Sequence, residues 1–218
     1  MKNFLISYLA YSFASGMLVS MGGVVYLSCD SKYLGALLFG LGLYTIIQFG
    51  FYLFTGKVGY IVNRGVKYIP EVLLILVGNA IGTAFTSMLV NFTKFGDKIS
   101  EKAYNIMEGK LSDTPLSSFI LAFFCGMLMY IAVENASINR KTNSDTAIIA
   151  GTILAIMVFI ISGFNHCIAD MFYLFVSGNY KSEAVLYFIL VILGNSVGGM
   201  TLPFIRKLGA LNNQEKVK

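Results

Sequence analysis

Residues 159–176 read FIISGFNHCIADMFYLFV, and they place the sole histidine of the chain, His166, beside Asn165 and four residues before Asp170 in an otherwise apolar run. That run extends from Ala147 to Val176, thirty residues, whereas about 20 suffice for a helix to cross a hydrocarbon core of roughly 30 Å. It is too long, and too polar in its middle, for one plain crossing. Gly163 supplies backbone freedom just ahead of Asn165 and His166, and non-helical backbone at membrane depth is tolerated only where protein or a water-filled cavity covers it. The pattern predicts a broken helix with His166 at the break.

Composition points the same way. The chain has 218 residues, 56% hydrophobic and 12% charged, with a mean hydropathy of +0.73, and several apolar runs exceed 18 residues. Six spans are expected, at about 4–27, 33–62, 72–92, 119–138, 147–176 and 184–205, with a polar tail at 206–218 and a polar loop at 93–118 holding four lysines and four acids. This leaves one integral domain over 1–218 and no room for a soluble catalytic domain. The net charge of +5 is spread over loops, which excludes the clustered basic face of a nucleic-acid binder. Cys29, Cys125 and Cys167 lack paired spacing, so neither a disulfide framework nor a metal site is implied. No HExxH or nucleophile–base spacing marks an enzyme, and no cofactor is expected. The first apolar run is long enough to span and lacks a small-residue cleavage site, so it reads as a retained helix.

Lysine and arginine set the expected orientation. With the N-terminus inside, the inner segments carry Lys2, Lys57, Arg64, Lys67, Arg140, Lys141, Arg206, Lys207, Lys216 and Lys218, against Lys32 and Lys181 in the short outer turns. Both termini are expected in the cytoplasm of a multi-pass cell-membrane protein. Glu134, near the inner end of the fourth span, is expected to meet water, Arg140 or Lys141.

The two halves repeat. Gly16-Met17-Leu18 recurs as Gly126-Met127-Leu128, GNAIG at 78–82 recurs as GNSVG at 194–198, and the over-long spans are the second and the fifth. Three spans per half makes the repeat an inverted one, and in such folds paired interrupted helices point to the substrate path near the midplane.

In these residues the chain resembles the formate/nitrite transporters over essentially its whole length. SGFNHCIADMF is similar to the fifth-helix signature of that family, with His166 as the pore histidine. LFTGKV is similar to the second-helix loop, with Thr55 as its threonine, and GNAIG and GNSVGG resemble the GN-x-x-G elements of helices three and six. The resemblance implies a pentameric channel with an aquaporin-like protomer for small monovalent anions or their acids. By position it assigns apolar constrictions to Phe39, Leu43, Leu53, Phe54 and Phe159, a further one to Met129, and a vestibule lysine to Lys110.

The chain also departs from that pattern. Asn165 stands for a glutamate, Asp170 for an asparagine, Gly126 for an asparagine in helix four, and Ser7 for a basic residue at the start of helix one. The first span begins close to residue 1, so the amphipathic N-terminal helix of the family is not expected. Asp170, one turn beyond His166, is expected to pair with it, cap the broken helix or tune selectivity.

A bare anion crossing rings of Phe and Leu loses hydration at a cost of several kcal/mol, which a neutral acid largely avoids. Proton-coupled passage is therefore expected. Lys110 would concentrate the anion and His166, with Thr55 opposite, would donate a hydrogen bond or relay the proton. Formate is the first expected substrate, with nitrite and hydrosulfide next. A neutral-solute pore is the alternative, although paired Asn-Pro-Ala motifs do not occur.

Overall fold

A computed structural model describes the backbone of residues 2–215 and the side chains of residues 5–210. Lys2, Lys216 and Lys218 of the charge pattern lie outside the described side chains. The described chain is all-helical: α1 (Lys2–Ser28), α2 (Lys32–Phe49), α3 (Phe54–Lys57), α4 (Ile61–Arg64), α5 (Ile69–Asn91), α6 (Gly96–Leu111), α7 (Pro115–Lys141), α8 (Asp145–Ile161), α9 (Cys167–Ser177) and α10 (Glu183–Glu215). Segments of α1, α2, α5, α7 and α10 are long and apolar enough to cross a membrane, while α8 and α9 are shorter apolar helices. Leu37, Leu41, Val77, Ile81, Leu154, Ile189 and similar side chains are exposed on these helices, as the apolar solvent of a bilayer requires.

Local chemistry sets the ends. The Ser31 side chain accepts from Leu34 N–H to start α2, and Thr114 accepts from Ser117 N–H to start α7 with Pro115 in the first turn. Gly50 closes α2 in the left-handed conformation, φ 69°, its N–H reaching the Ile46 and Ile47 carbonyls. Gly163 follows α8 at φ 70°. Each of these two ends is also capped by a cation from a distant turn. Arg140 Nη2 donates to the Ile47 carbonyl, and Lys32 Nζ donates to the Ile161 carbonyl at 3.0 Å.

The pairs α1/α5 and α7/α10 pack at backbone distance. A Cβ on Gly16 would overlap the Asn79 carbonyl oxygen, and one on Gly126 would overlap that of Asn195.

Three expectations are corrected here. The segment 93–118 is not simply a loop: it holds α6, whose Gly96, Ile99, Ala103 and Met107 form a buried stripe while Asp97, Lys98 and Glu101 face outward. The last helix does not end at Ile205: α10 passes Pro203 and takes in the polar tail as far as Glu215. Glu134 binds neither Arg140 nor Lys141; its Oε1 accepts from Arg206 at 2.6 Å, a residue delivered by that same continuation of α10.

Candidate functional site at the helix breaks

Between α2 and α3, and again between α8 and α9, backbone groups lose helical partners inside an apolar interior, where an unsatisfied N–H or C=O is costly. One asparagine repairs each gap. Asn79 Oδ1 accepts from Phe54 N–H at 2.8 Å, and its Nδ2 donates to the Tyr52 carbonyl at 2.9 Å and the Ser12 carbonyl at 2.7 Å. Asn195 Oδ1 accepts from Cys167 N–H at 2.9 Å, and its Nδ2 donates to the Asn165 carbonyl at 2.9 Å and the Ala122 carbonyl at 2.8 Å. A carboxamide carries one acceptor oxygen and two donor hydrogens, so each asparagine serves one N–H and one C=O of its gap and ties its remaining donor to a carbonyl of α1 or α7. Both asparagines are fully buried.

The two repaired segments present Thr55 and His166 to each other. Thr55 Oγ1 lies 3.0 Å from His166 Nε2, although the residues are 111 positions apart. His166 is also the N-cap of α9, with Nδ1 accepting from Ala169 N–H at 3.2 Å. An accepting Nδ1 carries no proton, so the neutral ring has its hydrogen on Nε2, which donates to Thr55. The cap thereby selects the tautomer that faces Thr55.

Aromatic groups close one side. The Phe159 ring is 5.6 Å from the imidazole and meets Phe39 edge-on at 5.8 Å. Leu43 and Leu53 line a cavity of about 220 Å³ that also includes Lys57, Tyr60, Ser137 and Arg140. Phe54 and Met129 are buried in the core, and no polar contact ties Met129 to the Thr55–His166 pair.

The carboxylate lies elsewhere. Asp170 does not pair with the imidazole. Its Oδ1 is 3.1 Å from Lys110 Nζ and its Oδ2 accepts from Tyr187 OH at 2.8 Å, while its backbone N–H donates to the His166 carbonyl. Lys110 also donates to Asn165 Oδ1 at 2.6 Å, and Asn165 Nδ2 reaches the Ser118 carbonyl at 3.3 Å. Lys110 thus stands over the second break with an acid and an amide as its partners. Farther along, at the surface, Lys181 and Asn179 hydrogen-bond Glu108 and hold its carboxyl below the usual range.

Sequence reasoning did not put Asn79, Asn195 or Tyr187 among the site residues. The signal for the asparagines was the repeated Gly-Asn pair in apolar helices, read above as a mark of the internal repeat and of the family. Nothing in the sequence pointed to Tyr187.

The described residues thus form a helical, multi-pass membrane protein with a buried Thr–His contact between two helix ends. Residues 1–206 match the Formate/nitrite transporter family, and the chain belongs to it. It is 27% identical to the formate channel FocB of Escherichia coli (strain K12), over 90% of this chain and 84% of that one. With the formate channel FocA of Haemophilus influenzae (strain ATCC 51907 / DSM 11121 / KW20 / Rd) it shares 29% identity over 65% of this chain and 52% of that one. The fold matches a solved pentameric formate channel with formate bound, with a TM-score of 0.79 at 23% identity and full coverage of both chains.

Proposed function

We propose that this protein is a channel for small monovalent anions or their conjugate acids, formate first and nitrite or hydrosulfide next, with passage coupled to protons. The observation that carries the reading is the Thr55–His166 contact at the meeting of the two helix breaks. A neutral donor pair between apolar side chains suits a small acid crossing in its uncharged form, because the hydration cost of the anion is avoided while one hydrogen bond is kept.

In this reading the chain is one transmembrane domain of six spans in two inverted repeats, the second span being α2 to α4 and the fifth α8 with α9. The doubled asparagine pattern and the reciprocal caps from Arg140 and Lys32 support it. Both termini lie in the cytoplasm, on the side of Arg64, Arg140 and Arg206. The chain assembles as a homopentamer in the cell membrane, a reading supported by its likeness in fold to the solved pentameric formate channel.

Phe39, Phe159, Leu43, Leu53, Phe54 and Met129 form the apolar constrictions, and Thr55 and His166 offer the polar contact between them. Lys110, Asn165 and Asp170 set the charge at the outer approach.

Flux of formate, nitrite and hydrosulfide into proteoliposomes, with and without a proton gradient and beside a glycerol control, tests the proposal. Anion flux that rises with the proton gradient and excludes glycerol is expected. Equal passage of glycerol would show a neutral-solute pore instead.

A further inference from the structure

Among the described residues there are four ion pairs, and three of them keep their acid in contact with water. The pair of Asp170 with Lys110 does not. Asp170 is 2% exposed, its cation 16%, and their charged atoms stand 3.1 Å apart. A carboxylate at that depth keeps its charge only while a cation neutralises it. The family pattern has an amide at this position, so the acid is a feature of this chain.

The two partners are not equally committed. Asp170 Oδ2 accepts from the Tyr187 hydroxyl at 2.8 Å, a bond that survives whether the carboxyl is charged or neutral. Lys110 reaches in from α6 with three hydrogens. Asn165 Oδ1 at 2.6 Å and Asp170 Oδ1 engage two, and the partial exposure of the side chain leaves the third for the outer approach. An anion that takes this hydrogen shares one cation with Asp170. Two like charges so close in a low-dielectric setting do not both stay ionised, and one of them takes a proton.

The remaining neighbours do not alter that balance. Cys125 of α7, with Cys167 and Tyr173 of α9, are the other titratable groups acting on Asp170, and α1 adds Tyr26 beside Tyr173. None of these brings a second cation. α5 meets α9 through Ser87 and Asn91, which do not titrate. His166, which also feels Lys110, is the one other group able to take a proton beside it.

We propose that Asp170 is a built-in rival of the transported anion at Lys110, so that this face takes up an anion and a proton together. Formate accepts from Lys110, a solvent proton forms an O–H bond at Asp170 Oδ1, and the Lys110–Asp170 ion pair gives way to a Lys110–formate pair. The site is neutral before and after, and nothing is oxidised or reduced. Asp170 thus sets how half-saturation, and not maximal flux, varies with pH. Its use in transport rests on the channel reading above; the linked binding does not.

The test adds sodium formate to the purified full-length protein in weakly buffered detergent at neutral pH, with sodium gluconate at equal ionic strength as the control and a pH indicator as the readout. Saturable uptake approaching about one proton per protomer is expected. Asp170→Asn keeps an acceptor for the Tyr187 hydroxyl. It should bind formate with a several-fold lower half-saturation, read as a thermal shift, and take up no proton. Formate binding to the wild type without proton uptake overturns the proposal, and so does uptake that persists in Asp170→Asn, which would assign the proton to His166. The wild type alone supplies a second check: its half-saturation should weaken by about tenfold per pH unit as pH rises, and a flat profile overturns the linkage.

Formate half-saturation from the Lys110 face of oriented proteoliposomes separates this proposal from the channel reading. Normal flux with a half-saturation that does not vary with pH removes the rival role and leaves the channel. Proton uptake with formate in a protein that conducts none removes the channel and leaves the linked site.

Discussion

At residues 50–54 the chain turns on Gly50, is secured by Asn79 and delivers a threonine to the centre; at residues 163–167 it turns on Gly163, is secured by Asn195 and delivers a histidine. The supports are nearly superimposable in their hydrogen bonds, and the groups they hold are chemically unlike. Thr55 has a hydroxyl that does not titrate, whereas His166 adds a ring that accepts at Nδ1 and donates at Nε2. The second break also carries Lys110, Asn165 and Asp170, for which no counterpart stands at the first among the described residues. The support is thus alike in the two places, and a few side chains account for the difference in chemistry.

The comparison is broken most forcefully at its supports. Asn79→Ala and Asn195→Ala each strip the two backbone groups of a break of their partner, and with about 1–3 kcal/mol for each group left unsatisfied, a loss of roughly 2 kcal/mol or more is expected from either. Thermal unfolding in detergent checks this. If one variant is tolerated and the other is not, the two breaks are not equivalent supports.

The chemistry is separated next. His166→Asn keeps a good N-cap for α9 while removing the imidazole, so stability should change little. A hydrogen bond to a charged or charging group is worth about 1.5–3 kcal/mol, so formate flux should fall roughly tenfold or more and lose its pH dependence. Thr55→Val, which removes a neutral hydroxyl worth about 1 kcal/mol, should reduce flux only several-fold and leave the pH profile in place. Equal losses from both variants would mean that histidine acts here as a second threonine.

The charge at the second break gives a smaller effect. Asp170→Asn leaves the Lys110 ammonium with amide partners and Tyr187 without its carboxylate. Anion loading from that face should rise several-fold. Breaking a fully buried pair costs about 3–5 kcal/mol, and the partial solvent access of Lys110 brings the expected cost down to about 1–3 kcal/mol. Half-saturation measured from each face, together with the melting temperature, would show both.

The smallest effect lies at the surface. The Glu108 carboxyl is held low by Lys181 and Asn179, so the stabilisation it contributes is present above the ordinary carboxylate range and is lost as pH falls through its depressed value. Lys181→Gln should flatten that acid limb slightly and leave flux alone. A change in flux would place this pair in the transport path.

Much of this was legible in the residue order. The apolar lengths of 33–62 and 147–176 and their glycines point to the places where α2 and α8 end, and the recurrence of GNAIG as GNSVG marks the two asparagines that support them. The stripe Gly96, Ile99, Ala103, Met107 was legible too, but eight charges spread over 93–118 masked it, because mean polarity speaks louder than a four-residue period in a short window. The end of the last helix was misplaced for a related reason. A polar stretch that begins at Arg206 reads as tail until Glu134, 72 residues earlier, is seen to receive it.

By itself, then, the sequence determined that this is a multi-pass membrane protein and that a lone histidine and a threonine fall within two of its apolar runs, because length, periodicity and residue chemistry are local properties. The tertiary structure alone decided which polar groups meet. Asn79 serves Phe54 and Tyr52, Asn195 serves Cys167 and Asn165, and Lys110 turns to Asp170 and not to open solvent. These partners are separated along the chain and are chosen by helix packing, and in an apolar interior each unpaired polar group must find whichever partner that packing brings within about 3 Å.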